Sequence, residues 1–149
     1  MHGVFPEIYI PVVFDNCVFE TKVDNSSVEL SIHDTAVQID FDNLRPLSYR
    51  QSDVILVAFD LSNVESLNSV PTKWREEVHK HCAGLPIILV GCKKDEWKHP
   101  VDGAITLEQI ELARKALGAV VYTDCSAKNG DGVKRVFETA AAYSAGFQK

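Results

Sequence analysis

The stretch Pro86-Ile87-Ile88-Leu89-Val90-Gly91-Cys92-Lys93-Lys94-Asp95 decides the fold of this chain of 149 residues. Its first half is a continuous apolar run, which is typical of a strand buried on both faces in a parallel sheet. A second run, Ala119-Val120-Val121-Tyr122, is followed in the same way by Cys125-Ser126-Ala127-Lys128. Ligands of open α/β sheets bind beyond the carboxyl ends of the strands, so both polar loops are candidate binding loops.

Further strands are predicted upstream of these two. The run Val54-Ile55-Leu56-Val57-Ala58-Phe59 indicates a third buried strand. The segments Cys17 to Asp24 and Val28 to His33 alternate apolar and polar residues, and the Asp-Asn-Ser-Ser sequence at 24–27 supplies turn chemistry. This pattern predicts an antiparallel hairpin. Asp34 follows its second strand, and we expect Asp34 on the same rim as the two loops.

Helical patterns lie between the predicted strands. Ser62 to His81 places apolar residues three and four apart, and Thr106 with Gln109 forms a capping pattern whose helix ends at Gly118. A final helix carries an apolar stripe formed by Val133, Val136, Phe137 and Ala140. The alternation of buried strands and helices predicts an α/β fold, with a mostly parallel sheet, flanking helices and a single domain over residues 1–149.

Composition excludes several classes of function. The formal net charge of -6 argues against nucleic-acid binding, which needs clustered basic residues. No run of apolar residues is long enough to span a membrane, and Met1-His2-Gly3 begins no signal peptide. The cysteines form no C-x-x-C pair, so we expect reduced thiols in a cytoplasmic protein without a metal cluster. They are Cys17, Cys82, Cys92 and Cys125.

Longer stretches resemble the Rho-family small GTPases of the Ras-like superfamily. Tyr9-Ile10-Pro11-Val12-Val13-Phe14-Asp15-Asn16 looks like their first switch segment. Asp34-Thr35-Ala36-Val37-Gln38, with Leu44-Arg45-Pro46-Leu47-Ser48-Tyr49, is similar to their second. Trp74 and the two loops beyond the apolar runs continue the match in unbroken order. The resemblance implies a Ras-like P-loop GTPase fold.

The resemblance assigns guanine recognition to the two loops. Asp95 would accept two hydrogen bonds from the donor edge of guanine, and the aliphatic stem of Lys93 would lie against the purine plane. The backbone N–H of Ala127 would contact the guanine carbonyl, while Ser126 and Lys128 shape that loop. These five residues are the expected guanine-binding set.

The departures from the family pattern fall on phosphate and magnesium. No Gly is followed by Lys, so the chain contains no GxxxxGK[ST] phosphate loop. We expect the first strand, phosphate loop and first helix of the fold to be missing, because they would precede the start of this chain. GTP or GDP with Mg²⁺ is therefore expected only if that phosphate loop is supplied, and no other cofactor is predicted.

Substitutions inside the switch segments also affect positions that the resemblance assigns to phosphate and magnesium. Val12 stands where the family has a Thr whose hydroxyl joins the Mg²⁺ shell, and Val37 replaces a Gly whose N–H approaches the terminal phosphate. Asp34 and Gln38 are remnants of the metal-side and water-orienting residues, and neither is assigned an active role. Cys92 replaces an Asn or Thr, and His33 replaces a Trp.

Three hypotheses for function remain open. The first is a Rho-like pseudo-GTPase in signal transduction, with weak or no GTP binding, which binds Rho-type regulators or effectors. The alternative is an incomplete form of a genuine GTP-hydrolysing switch, and the third is a non-functional product of a duplicated gene. Val12 and Val37 favour the first or third hypothesis, because truncation alone would leave both positions intact. The expected partner surface comprises Tyr9, Pro11, Val13, Phe14, Asn16, Leu44, Arg45 and Leu47.

Loss of a central strand has a structural consequence. It would leave two unpaired strand edges, which are costly when buried. Either the hairpin pairs with the Val54 strand, a second molecule fills the gap, or the fold is partly unstable. We favour a homodimer or swapped assembly. We expect no lipid anchor, since Ala145 to Lys149 contains no Cys.

Overall fold

The computed structural model describes residues 5–6, 14–23, 26–35, 45–99, 101 and 103–146. The chain divides into two compact units, Met1–Ser52 and Asp53–Lys149, and each is described by itself. The prediction of a single domain over the whole chain remains a prediction.

The first unit contains the expected antiparallel hairpin. Strand β1 (Phe14–Val23) pairs with β2 (Ser26–Thr35), in a register that runs from Phe14 opposite Thr35 to Val23 opposite Ser26. Strand β2 extends two residues further at each end than predicted, and β1 begins three residues earlier, because ladder hydrogen bonds continue wherever the two backbones remain adjacent. Strand β1 ends at Val23, one residue before the predicted end at Asp24. A 3₁₀ helix over Arg45–Gln51 follows in the same unit.

The second unit is built on a three-stranded parallel sheet. Its strands are β3 (Ile55–Asp60), β4 (Ile87–Cys92) and β5 (Val121–Asp124), in the order β3-β4-β5. Ile88 and Leu89 on the central strand are completely buried. The three apolar runs thus form the predicted buried strands, with bounds displaced by one or two residues toward the carboxyl end.

The helix predicted over Ser62 to His81 is interrupted. It comprises α1 (Val64–Asn68), a π-helical turn (Val70–Trp74) and α2 (Arg75–His81). Pro71 has no backbone N–H to donate, and the N–H of Trp74 donates to the carbonyl of Ser69, five residues back, at 3.2 Å. The apolar spacing alone could not indicate this change of helical pitch.

The two remaining helices confirm their sequence patterns. In the capping box of α3 (Leu107–Leu117), Thr106 N–H donates to Gln109 Oε1 at 2.8 Å and Gln109 N–H donates to Thr106 Oγ1 at 3.2 Å. The helix ends at Gly118, which has a left-handed φ of 79°. Helix α4 (Val133–Ser144) packs Val136 and Ala140 against β4.

Hydrogen bonds among the described strands define two sheets, β1-β2 and β3-β4-β5. The prediction that a second molecule completes an unpaired edge remains a prediction, because only one chain is present. Within the described ranges, no helix has the length and apolar character needed to cross a bilayer.

Candidate functional site

The two candidate loops meet beyond the carboxyl ends of β4 and β5. The N–H of Cys125 donates to the carbonyl of Gly91 at 2.8 Å, which extends the parallel ladder by one step. The N–H of Lys94 then donates to the carbonyl of Cys125 at 3.0 Å. These two bonds hold the loop that contains Lys93 and Asp95 beside the loop that contains Ser126.

Ser126 organises the second loop and links it to the first. Its side chain is completely buried, and its hydroxyl donates to Oδ1 of Asp95 at 2.5 Å. Its N–H donates to the carbonyl of Asp131 at 2.8 Å, and its carbonyl accepts from the N–H of Gly130 at 2.9 Å. Asp95 itself is exposed. The carboxylate is thus held at one oxygen while its residue remains accessible to a ligand.

Lys93 adopts an unusual backbone conformation at the end of β4. Its φ of 57° and ψ of 41° are left-handed, and it is the only non-glycine residue with positive φ in the described ranges. Its ammonium group lies 2.6 Å from Oδ2 of Asp60, at the end of β3. The side chain is 57% exposed, so the stem predicted to contact a purine is available at the surface.

Asp60 was missed by the reasoning from sequence, although a signal existed. It directly follows the apolar run Val54 to Phe59, and the carboxyl end of a buried strand is where site residues are expected. Partial burial raises the pKa of the Asp60 carboxyl, but hydrogen bonds from Lys93 and Ser62 outweigh this effect and lower the pKa overall. The same hydrogen bond raises the pKa of Lys93.

Lys94 forms a second ionic link between the loops. Its Nζ lies 2.8 Å from Oδ2 of Asp131 and 3.2 Å from Oδ1 of Asp124. Arg135 reaches the same oxygen of Asp124 from α4 at 2.9 Å. The hydrogen bond from Lys94 lowers the pKa of Asp131, and the hydrogen bonds to Asp131 and Asp124 raise the pKa of Lys94. The sequence had indicated no role for Lys94 beyond its place in the motif.

A cleft of about 640 Å³ adjoins Asp95. Its walls include Leu61, Trp97 and Ile105, and the indole N–H of Trp97 donates to the carbonyl of Ile105 at 2.9 Å. Ligand pockets typically measure about 300–1,000 Å³ and combine apolar walls with a few polar groups. The cleft is therefore large enough for a small organic ligand, and of the five predicted guanine-binding residues only Asp95 lines it.

Two thiols lie beneath the loops. Cys92, the last residue of β4, lies on the strand beside Cys125, and both side chains are half-buried. The interaction between the two thiols, reinforced by burial, raises the pKa of Cys92 and, despite burial, lowers the pKa of Cys125. The sequence had placed the two cysteines in separate motifs, with no indication that they touch.

All five predicted guanine-binding residues therefore lie in loops that the fold brings together. Lys93, Asp95 and Ser126 have the contacts given above, whereas Ala127 and Lys128 are exposed in a turn. Contact of these residues with guanine remains a prediction.

The predicted partner surface is described only in part. Asn16 is exposed on β1 and Leu47 is 58% exposed, whereas Arg45 is only 4% exposed although the prediction placed it on an accessible surface. For Phe14 only the backbone in β1 is described. Asp34 is exposed on β2 in the first unit, so its position on the rim of the loops remains a prediction. The residues outside the described ranges are Tyr9, Pro11, Val12, Val13, Val37, Gln38 and Leu44.

Comparison with known proteins gives consistent matches. The Ras family model matches residues 1–145. The chain is 45% identical over 151 aligned residues to "GTP-binding protein rho5" of Schizosaccharomyces pombe, covering 95% of this chain and 76% of that protein. It is 44% identical, with the same coverage, to "GTP-binding protein RHO1" of Candida albicans. It is 45% identical to "GTP-binding protein Rho1" of Kluyveromyces lactis, covering 95% of this chain and 73% of that protein.

Proposed function

Because this chain belongs to the Ras family, and within it to the Rho-type small GTPases of signal transduction, we propose that it acts as a pseudo-GTPase. It binds regulators or effectors through its switch segments and binds guanine nucleotide weakly or not at all. The observation that carries the proposal is the pair of valines at positions 12 and 37. This reasoning does not depend on what precedes Met1.

The two valines act on the part of the site that supplies most of the binding energy. An isopropyl group at position 12 has no lone pair for Mg²⁺, and a β-branched residue at position 37 restricts the backbone beside the terminal phosphate. Charge-assisted hydrogen bonds contribute about 1.5–3 kcal/mol each. Weakening several of them lowers affinity by orders of magnitude.

The base-binding side supports some remaining recognition of guanine. Ser126 and Asp95 are joined by a short hydrogen bond, and a cleft lies beside the carboxylate. Contacts to the base alone would support at best about millimolar affinity, roughly 4 kcal/mol. The contact between Ser126 and Asp95 is also the observation that favours the second candidate function, a genuine GTP-hydrolysing switch.

A partner surface is supported by the first unit. Leu47 is 58% exposed and Val18, on the adjacent hairpin of that unit, is 60% exposed. When a partner covers exposed aliphatic side chains, their apolar surface is removed from water, which favours binding.

The presence of four cysteines that are free in the structure supports a reducing compartment such as the cytoplasm.

Calorimetry with GDP and Mg²⁺ on the chain itself is the first test, and we expect no binding tighter than about millimolar. The decisive test is a matched pair of chimeras, both carrying the upstream segment of the Schizosaccharomyces pombe relative. One chimera keeps Val12 and Val37, and the other carries Val12→Thr and Val37→Gly.

We expect the substituted chimera to bind GTP with Mg²⁺ at least about 100-fold more tightly than the chimera with both valines. Tight, Mg²⁺-dependent binding by the chimera with both valines would instead establish the genuine switch. Equal weak binding by both chimeras would show that the valines are not responsible.

A further inference from the structure

Cys92 and Cys125 occupy opposite positions on neighbouring parallel strands. The register pairs Gly91 with Asp124, and the residue that follows each of them is a cysteine. The hydrogen bond from Cys125 N–H to the carbonyl of Gly91, at 2.8 Å, continues the pairing past the end of β5. Paired positions of a parallel ladder project from the same face.

Packing confirms that both side chains lie on one face. Both cysteines contact the cluster formed by Val90 on the central strand and by Val136 and Ala140 on α4. Adjacent strands are about 4.7–4.9 Å apart, which is within the roughly 4.4–6.8 Å between the Cα atoms of bridged cysteines. Each thiol is also the main influence on the pKa of the other.

We propose that Cys92 and Cys125 form a peroxide-sensitive dithiol that closes to an intramolecular disulfide beneath the two loops. In the first step the Cys125 thiolate attacks hydrogen peroxide, giving a sulfenic acid and releasing hydroxide, which takes up a proton to become water. In the second step the Cys92 sulfur attacks the sulfenic sulfur, the S–S bond forms, and a second water leaves. Peroxide accepts the two electrons that the thiols lose.

The surroundings assign the two roles. The interaction with Cys92 favours the thiolate of Cys125 and lowers the pKa of Cys125, although burial and the Asp124 carboxylate oppose this effect. A thiolate is the reactive form toward peroxide, so Cys125 is the attacking residue and Cys92 the resolving one. The bond would join the residue before Lys93 to the residue before Ser126, and so fix the spacing of the loops.

The other two cysteines provide internal controls. Cys17 is exposed on the hairpin, so peroxide can reach its thiol directly. Cys82 is buried, and burial raises the pKa of Cys82 to about 11. Peroxide therefore does not reach the Cys82 thiol, and this thiol is not ionised at neutral pH.

The test uses the unmodified chain treated with hydrogen peroxide. Remaining thiols are alkylated at low pH to prevent exchange, and the protein is digested with trypsin without reduction. We expect the peptide His81–Lys93 to be linked to Ala116–Lys128 through Cys92 and Cys125. Fragmentation identifies which cysteine of the first peptide is linked. The amount of this linked peptide pair should exceed the amount of any pair linked through Cys17 or Cys82 by at least about tenfold, and dithiothreitol should separate the two peptides.

Two variants complete the experiment. In Cys92→Ser the resolving thiol is absent, so Cys125 should accumulate as a sulfenic acid that dimedone traps, whereas the matched control Cys17→Ser should form the link as the unmodified chain does. The proposal would be overturned if peroxide oxidises Cys17 while Cys92 and Cys125 both remain available for alkylation. Disulfide links found only between separate molecules would also overturn it. If Cys92→Ser does not fold, the peptide map of the unmodified chain decides alone.

Discussion

The hydroxyl of Ser126 donates a 2.5 Å hydrogen bond to the carboxylate of Asp95, across 31 residues of sequence. The hydroxyl is completely buried, whereas Asp95 is exposed. The bond therefore joins the loop after β5 to the loop after β4. A hydrogen bond to a charged acceptor is stronger than one between neutral groups, so this contact controls the geometry of the candidate base site.

Ser126→Ala should lower the free energy of unfolding by about 1–3 kcal/mol, because a buried donor to a charged group is lost. Urea denaturation measures this change. The matched control is Ser144→Ala, whose hydroxyl donates only to a carbonyl in its own helix, at 3.0 Å, and which should change stability much less. A double-mutant cycle with Asp95→Asn isolates the interaction. A coupling energy near zero would show that the two residues contribute independently.

Gly91 is expected to tolerate no side chain, because a Cβ there would lie 2.7 Å from the Tyr122 hydroxyl oxygen and 3.0 Å from the side chain of Leu61. Gly91→Ala should therefore lower stability by about 1–3 kcal/mol, the usual effect of overpacking. Adding Tyr122→Phe removes the closest atom, and we expect the double variant to recover part of the loss in thermal melts. No recovery would locate the conflict at Leu61 instead.

Tyr122→Phe alone gives a separate prediction. The Tyr122 hydroxyl is buried without a hydrogen-bond partner among the described residues, and burial raises the pKa of Tyr122. Removal of an unsatisfied polar group should leave stability unchanged or increase it by up to about 1–2 kcal/mol. A clear loss of stability in chemical denaturation would indicate that the hydroxyl has a partner in solution.

The ion pair between Asp60 and Lys93 predicts a pH window of stabilisation. The pKa of Asp60 is lowered from 3.8, so its contribution is present above that value and is lost as the pH falls through the lowered folded-state pKa. The pKa of Lys93 is raised from 10.5, so its contribution is present below that value and is lost as the pH rises through the raised one.

Carbon-detected NMR titration of the Asp60 carboxyl measures the acid side of this window. Lys93→Gln should raise the pKa of Asp60 because it removes the hydrogen bond and the nearby charge, while the exposed Lys128→Gln should leave it unchanged. Because the Lys93 side chain is largely exposed, we expect a small effect on stability. An unchanged Asp60 titration in Lys93→Gln would mean that the pair is not populated in solution.

Leu47→Asp tests the partner surface of the proposed pseudo-GTPase. Leu47 is 58% exposed, so the substitution should leave folding intact and weaken binding of a purified Rho-type exchange factor or activating protein by at least about tenfold, because a charge replaces apolar contact. The matched control is Leu112→Asp, which is 62% exposed on α3 and outside the predicted surface. Equal losses in both variants would argue against a specific role for Leu47.

Much of the fold could be predicted because its signals are local. Short continuous apolar runs are typical of central strands buried on both faces, and the Thr106–Gln109 pair forms a capping box from four consecutive residues. The motif around Lys93 and Asp95 lies at a strand end for the same reason. The interruption at Pro71 was missed, because spacing reports which side of a helix is apolar and does not report its hydrogen-bond pattern.

The candidate site could likewise be predicted only in part from the sequence. The sequence by itself determined the family, the strands, and the residue types at positions 12, 37, 93 and 95, because each of these is expressed in contiguous residues. Only the tertiary structure decided that Ser126 donates to Asp95, that Lys93 pairs with Asp60, and that Cys92 lies beside Cys125. These contacts join the ends of separate parallel strands. Their partners are set by strand order and register, which are properties of the assembled sheet.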